Sequence, residues 1–166
     1  FFKYILWSKE NDRSEPIIPA TEPKTLSKIT VPETVTEKSK GDIVIVADLK
    51  DADSQLGQMI ERFKAVMPMN TRVVNIAEYP FKGGCLGCFN CAVDGTCVYK
   101  DGFDAFLRNE IQKADAIVYA FTIKDHSMGP LFKMYDDRQF CNGHRTVTIG
   151  MPVGYLVSGE LSAEEN

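Results

Sequence analysis

The chain has 166 residues, of which 44% are hydrophobic and 25% are charged, so it can form one globular domain with its own hydrophobic core. Its formal net charge of −4 implies no general affinity for nucleic acid or an anionic membrane, and no apolar run reaches the length of a membrane span. The five cysteines are an odd number, which argues against a secreted disulfide framework and predicts a reducing, cytoplasmic setting.

The first part of the chain, residues 1–40, is expected to be an extended linker or the tail of a preceding module. Four prolines between positions 16 and 32 would interrupt any helix, and Ser, Thr, Glu and Lys fill the intervals between them. The globular domain is expected over residues 41–166.

Short runs in this domain predict four strands, at residues 43–47, 71–76, 116–121 and 153–157, and the apolar runs of the first and third indicate strands buried in the sheet. Apolar residues at helical spacing lie between them, at 56–67, 103–111 and 131–135, with Asp101 as the expected cap of the second helix. This alternation predicts an α/β fold with a doubly wound parallel sheet. Such sheets usually have a fifth strand, so we expect the sheet to be incomplete and the domain to be truncated before its last strand.

Four cysteines, Cys85, Cys88, Cys91 and Cys97, lie within thirteen residues at the spacing C-x2-C-x2-C-x5-C. Thiolates two residues apart can converge on one metal centre, and four complete the ligand set of an iron–sulfur cluster or a zinc ion. Three consecutive cysteines at x2 spacing favour the cluster, because zinc sites more often use two separated pairs. Disulfides and unliganded redox-switch thiols remain alternatives. The fifth cysteine, Cys141, is expected to be a small buried side chain.

Ligands of an open parallel sheet bind at the carboxyl ends of its strands. The loops at those ends contribute eight candidate cofactor-binding residues: Lys50, Ser54 and Gln55 after the first strand, Thr122, Lys124 and His126 after the third, and Ser158 and Gly159 after the fourth. The cysteine loop follows the second strand, so we expect both sites on the same edge of the sheet, which would suit electron transfer between them.

The order of these elements, the cysteine motif and the stretch Phe-Lys-Met-Tyr-Asp-Asp-Arg at residues 132–138 together resemble the iron–sulfur flavoproteins. That family belongs to the NADPH-dependent FMN reductase-like branch of the flavodoxin-like fold, and the resemblance covers residues 41–166. It implies an FMN-dependent redox protein, either an NAD(P)H:flavin oxidoreductase or an electron-transfer protein, with a 4Fe–4S cluster on the four-cysteine loop. It also implies NAD(P)H or a ferredoxin-like protein as electron donor, and a homo-oligomer.

The loop after the first strand departs from that family. Members usually carry a stretch like Ser-Pro-Arg-x-x-Gly-Asn-Thr, whose amides and hydroxyls cradle the FMN phosphate. Here residues 48–55 read Asp-Leu-Lys-Asp-Ala-Asp-Ser-Gln, with three carboxylates and no glycine. This departure leaves two alternatives open. One is a degenerate module whose structural metal serves docking or dimerisation, and the other is a thiol redox sensor. Further along, Lys133, Asp137 and Arg138 are expected to form one helix face that contains an Asp–Arg pair.

Overall fold

A parallel sheet of four strands organises the part of the chain that the structure describes. The structure is a computed structural model, and it describes residue 10 and residues 33–124, 126–143 and 147–159. The strands are β1 (Ser39–Ala47), β2 (Met69–Asn75), β3 (Ala116–Ile123) and β4 (Val153–Gly159). Their order is β2-β1-β3-β4 and every neighbouring pair is parallel. This is the strand order of the flavodoxin-like fold and confirms the predicted fold class.

The helices follow the strands in the predicted alternation. They are α1 (Gln55–Val66), α2 (Cys91–Asp94), α3 (Phe103–Phe106), α4 (Pro130–Arg138) and α5 (Phe140–Gly143). The second predicted helix differs in its last turn, because α3 continues as a π-helical turn over Leu107–Ile111. That turn is closed by a hydrogen bond from Gln112 N to Leu107 O of 2.9 Å.

Helices cover both faces of the sheet, as expected for a doubly wound fold. On one face, Leu56 and Ile60 of α1 pack against alternate residues of β1 and β3. On the other face, α3, its π-helical turn and α4 contribute a larger core that includes Phe103, Phe132 and Tyr135. The inner strand β1 explains this arrangement, because residues 43–47 are at most 2% exposed and alternate between the two cores.

The segment before β1 is described only from residue 33 onward. Val35 N donates to Ala65 O at 2.9 Å, and Lys38 Nζ donates to Lys64 O at 2.7 Å, so this segment lies against the carboxyl end of α1. The linker predicted over residues 1–40 falls mostly outside the described residues and stays a prediction, as does truncation of the domain.

Candidate functional site

The loops after β1 and β3 enclose a cavity of about 400 Å³, which we call the strand-end cavity. Its walls are residues 48–51, 54, 56, 122, 124 and 127–130. It lies at the topological switch point of the sheet, because β2 is added on one side of β1 and β3 is added on the other side. This switch point is where doubly wound sheets bind their ligands.

Four of the eight predicted cofactor-binding residues line this cavity: Lys50, Ser54, Thr122 and Lys124. Ser158 stands behind the wall and forms a hydrogen bond of 2.7 Å between its Oγ and Thr122 Oγ1. The structure therefore brings the loops after β1 and β3 together around one volume, and the end of β4 supports that volume indirectly.

The other three predicted residues lie outside the cavity walls. Gln55 begins α1, and His126 adopts a φ of +60° in the loop after β3. Gly159 ends β4 at a φ of +120°, where an added Cβ would lie 2.3 Å from Ile123 O. Gly159 is thus required for close approach of two backbones, which is a structural role.

The loop between β1 and α1 folds back on the helix start. Ser54 is the N-cap, and its Oγ accepts from Gly57 N at 3.2 Å and donates to Asp51 O at 2.6 Å. An added Cβ on Gly57 would lie 2.0 Å from Ala52 O, so that carbonyl is held against the first turn. Gln58 Nε2 donates to Asp53 O at 3.1 Å and holds the next carbonyl of the loop. The Ser54 hydroxyl and the space at the helix start are thereby occupied by the chain itself.

These contacts do not fit the phosphate of FMN. A phosphate dianion is normally held by free amides and hydroxyls at a helix start. Here it would meet the carboxylate of Asp51, which accepts from Asp53 N at 2.9 Å, and the carbonyl oxygens of the folded-back loop. The walls of the strand-end cavity contain two lysines and two aspartates, so their formal charge is zero.

Asp48 has an unusual place in the cavity wall, directly after β1. In the described part of the chain, its Oδ1 is buried and has no hydrogen-bond partner. Burial raises the pKa of this carboxyl above its ordinary value, and the nearby charge of Lys50 partly opposes the rise. A buried acceptor without a donor costs free energy, so Asp48 is suited to meet a donor that enters the cavity.

The second site is a small cavity lined by all four motif cysteines and by Cys141, which we call the cysteine cavity. Cys91 begins α2, and Gly95 ends it with a φ of +79° and a bond from its N–H to Cys91 O. This tight return of the chain brings Cys97 to the same cavity as Cys91. The volume is about 20 Å³, close to the space of one water-sized sphere.

A buried ion pair joins α4 to the cysteine loop. Arg138 donates from Nη1 to Asp101 Oδ2 at 2.5 Å and from Nη2 to Asp101 Oδ1 at 2.8 Å, and both side chains are 1% exposed. The guanidinium lies 4.5 Å from the ring centre of Phe103 and 4.9 Å from that of Tyr99. Its Nη2 is also 3.5 Å from Cys97 Sγ, so a fixed positive charge stands beside one of the predicted ligands.

The predicted pairing of Asp137 with Arg138 is wrong. Adjacent residues on a helix point in different directions, so their side chains do not face each other. Asp137 pairs instead with Lys133, four residues earlier on the exposed face of α4, while Arg138 turns inward to Asp101. The sequence contained a signal for this arrangement. Lys133 and Asp137 are four residues apart, the spacing of a helical ion pair, so Arg138 was free to pair with a residue outside the helix.

The Arg138–Asp101 pair was missed because its members are 37 residues apart in sequence. Asp101 was expected only as a helix cap, and it does accept from Phe103 N at 3.3 Å although Gly102 occupies the N-cap position. The hydrogen bonds from Arg138 lower the pKa of Asp101 to about 2. The carboxylate therefore stays charged at neutral and mildly acidic pH.

The cysteines differ in their surroundings. Cys85 and Cys88 are exposed, Cys91 and Cys97 are half-buried, and Cys141 is buried as predicted. Burial raises the pKa of Cys91, and the neighbouring thiols raise it further. Burial, followed by the charges of Cys97 and Cys91, raises the pKa of Cys141 to about 12. Cys141 is therefore a protonated core residue beside the motif.

The four thiols match a metal–sulfur centre in type and number. Among the described residues, no three His, Cys, Asp or Glu side chains stand at the positions of metal ligands. All four thiols nevertheless line the cysteine cavity, Cys85 and Cys88 from its exposed side.

The two sites lie at opposite ends of α4, so the prediction that they share one edge of the sheet is wrong. Pro130 at the start of α4 lines the strand-end cavity, and Arg138 at its end lines the cysteine cavity. Eight residue steps along the helix separate Pro130 from Arg138 by ~12 Å along the helix axis. The reason is that the chain after β2 runs along α4, where Gly83 O accepts from Arg138 Nη1 at 3.5 Å, before the cysteines begin.

Comparison of the chain with protein-family models, with curated proteins and with solved structures returned no match. The candidate sites therefore rest on their own geometry. Of the helices in the described ranges, none has both the length and the apolar character needed to cross a membrane.

Proposed function

We propose that this protein is a redox module of flavodoxin-like fold that holds a metal–sulfur centre on its four-cysteine loop and transfers electrons through it. The observation that carries the proposal is that all four motif cysteines line one small cavity, beside the buried guanidinium of Arg138. The ligands would be Cys85, Cys88, Cys91 and Cys97. When bound, a 4Fe–4S cluster would supply reversible one-electron chemistry.

The surroundings of the cysteines support electron transfer in two ways. Arg138 is held rigidly by Asp101 and offers a charged N–H to Cys97, and hydrogen bonds to cluster sulfurs help to set reduction potentials. Cys85, Cys88 and the intervening Leu86 are exposed, so a metal–sulfur centre held there would lie close to the protein surface. A one-electron donor such as a ferredoxin-like protein could then exchange electrons with it directly, whereas NAD(P)H, which gives up a hydride, would need a flavin between itself and the centre.

The proposal does not depend on FMN. The resemblance to iron–sulfur flavoproteins would place FMN in the strand-end cavity, and the switch-point position of that cavity is in favour of it. The contacts of Ser54 and the carboxylate of Asp51 are against it, because that hydroxyl is already bonded within the loop and the carboxylate would repel the phosphate.

A second candidate function follows from the size of the cysteine cavity. A volume of about 20 Å³ suits one ion better than a four-iron cluster. The alternative is therefore a structural zinc site in a module that serves docking or dimerisation.

The deciding experiment is to purify the protein anaerobically and to assay iron, acid-labile sulfide and zinc per chain. The proposal expects about four iron and four sulfide, with a broad absorbance near 400 nm. Cys97→Ser should lose most of the iron, whereas the matched control Cys141→Ala should retain it, because Cys141 lies outside the motif.

The other outcomes are equally informative. Zinc alone at about one ion per chain would contradict the cluster and support the structural module. A protein without metal, whose motif cysteines form disulfides reversibly with oxidant, would reject both and support a thiol redox sensor.

A further inference from the structure

The strand-end cavity has the properties of a small-molecule site that is separate from the cysteine loop. Its volume of about 400 Å³ lies within the 300–1,000 Å³ range of such sites. Leu49, Leu56 and Met128 contribute apolar walls, and a few polar groups stand among them. A concave apolar surface with a small number of polar groups is the usual design of a site that binds one orientation of a ligand.

The polar groups of the wall favour a ligand that donates hydrogen bonds. Asp48 supplies a buried oxygen that has no hydrogen-bond partner within the described chain. Leu49 N and O, next in sequence, are both bonded to the side chain of Asn75, at 3.1 and 2.8 Å, so the backbone beside Asp48 is held in place. The backbone that carries the acceptor is therefore fixed, and a hydroxyl or amine toward which the Asp48 carboxyl turns would satisfy a group that folding leaves unpaired.

The same wall disfavours a phosphate. At the helix start that would ordinarily hold one, the Ser54 hydroxyl is bonded within the chain and Ala52 O lies against Gly57. The loop before the helix adds the Asp51 carboxylate, which accepts from Asp53 N. Lys50 is the cation nearest in sequence to the helix start. The cavity wall contains two lysines and two aspartates, so its positive charges are balanced by an equal number of negative charges. A dianion would thus enter a wall with no excess of positive charge and with oxygen atoms at the helix start.

We propose that the strand-end cavity binds a hydroxyl- or amine-bearing small molecule without phosphate, of the size of a nucleoside or a flavin, and discriminates against its phosphate ester. Asp48 accepts the hydrogen bond that fixes the ligand, and the folded-back loop 51–54 excludes the phosphate. This discrimination does not depend on what the cysteine loop holds.

The test compares ligands that differ only in the phosphate. Riboflavin and FMN form one pair, measured by quenching of flavin fluorescence. Adenosine and AMP form the other pair, measured by titration calorimetry. The full chain is used, with its cysteine loop in the state in which it is purified. We expect the phosphate-free member of at least one pair to bind at least ten times more tightly than its ester.

Two variants locate the effect. Asp48→Ala should weaken binding of the phosphate-free ligand by about 10-fold or more, the loss for a hydrogen bond to a charged group. Asp51→Asn keeps an acceptor for Asp53 N but removes the charge, so it should raise the relative affinity for the ester severalfold. Asp53→Ala is the matched control, because this exposed carboxylate of the same loop lies outside the cavity walls.

The proposal is overturned if in neither pair the phosphate-free parent binds more tightly than its ester. It is equally overturned if no member binds with a Kd below about 1 mM, or if Asp53→Ala changes binding as much as Asp48→Ala. Metal content, measured on the same samples, reports on the cysteine loop independently. Failure here is thus distinguishable from failure of the proposed redox function.

Discussion

Replacement of Asp101 by Asn tests the buried ion pair that joins α4 to the cysteine loop. The substitution keeps the shape of the side chain but removes the counter-charge of Arg138, whose side chain is 1% exposed. An uncompensated buried charge costs ~3–5 kcal/mol, so we expect a loss of that size in the free energy of unfolding. It is a large share of the stability of a small domain.

The pH dependence of stability gives a second estimate of what the Asp101–Arg138 ion pair contributes to the free energy of unfolding. The pKa of Asp101 falls from 3.8 to about 2 in the folded protein, which corresponds to about 2 kcal/mol of stability. Because the folded-state pKa is the lower one, this contribution is present above pH 3.8 and is lost as the pH falls toward about 2. The Asn variant should therefore lack that part of the acid dependence. At neutral pH, the loss in the free energy of unfolding should be the ~3–5 kcal/mol expected for an uncompensated buried charge, because Arg138 stays charged and has no counter-charge.

The assay is urea unfolding at pH 7, followed by circular dichroism at matched metal content. Asp137→Asn on the same helix is the control, because its partner Lys133 lies on the exposed face and the unfolding midpoint should not move measurably. In a double-mutant cycle, Asp101→Asn combined with Arg138→Met should cost less than the sum of the two single changes. A loss below about 1 kcal/mol for Asp101→Asn, or equal effects of Asp101→Asn and Asp137→Asn, would refute the reasoning.

Two further predictions concern single positions. Gly57→Ala places a better helix former inside α1, yet it should destabilise the protein because the new Cβ would lie 2.0 Å from Ala52 O; a raised urea midpoint would contradict this. In metal-free protein, the exposed Cys85 and Cys88 should react rapidly with a thiol reagent at pH 8, whereas Cys141 should react only after unfolding, because burial holds its pKa at about 12. Rapid modification of Cys141 in the native state would show that the core around it opens.

The sequence alone was enough to predict the layers of the fold. Strands such as β1 contain continuous apolar runs because both of their faces are buried, and such a run can be read directly from the sequence. The helices could be predicted in the same way, from apolar residues that recur at helical spacing. The four-cysteine motif was also visible in the sequence, since the spacing of residues on a short loop is a local property, and its role as a ligand set stays a proposal.

Tertiary structure decided how the local pieces meet. Arg138 finds Asp101 and Cys97 across 37 and 41 residues, and no local rule predicts a contact that depends on how a loop crosses a helix. The same holds for the closure of the loop after β1 on Gly57, where backbone carbonyls occupy the space that a phosphate would need. Periodicity records which side of an element is buried, whereas the chemistry of a site depends on distances between elements, and those are set only when the chain packs.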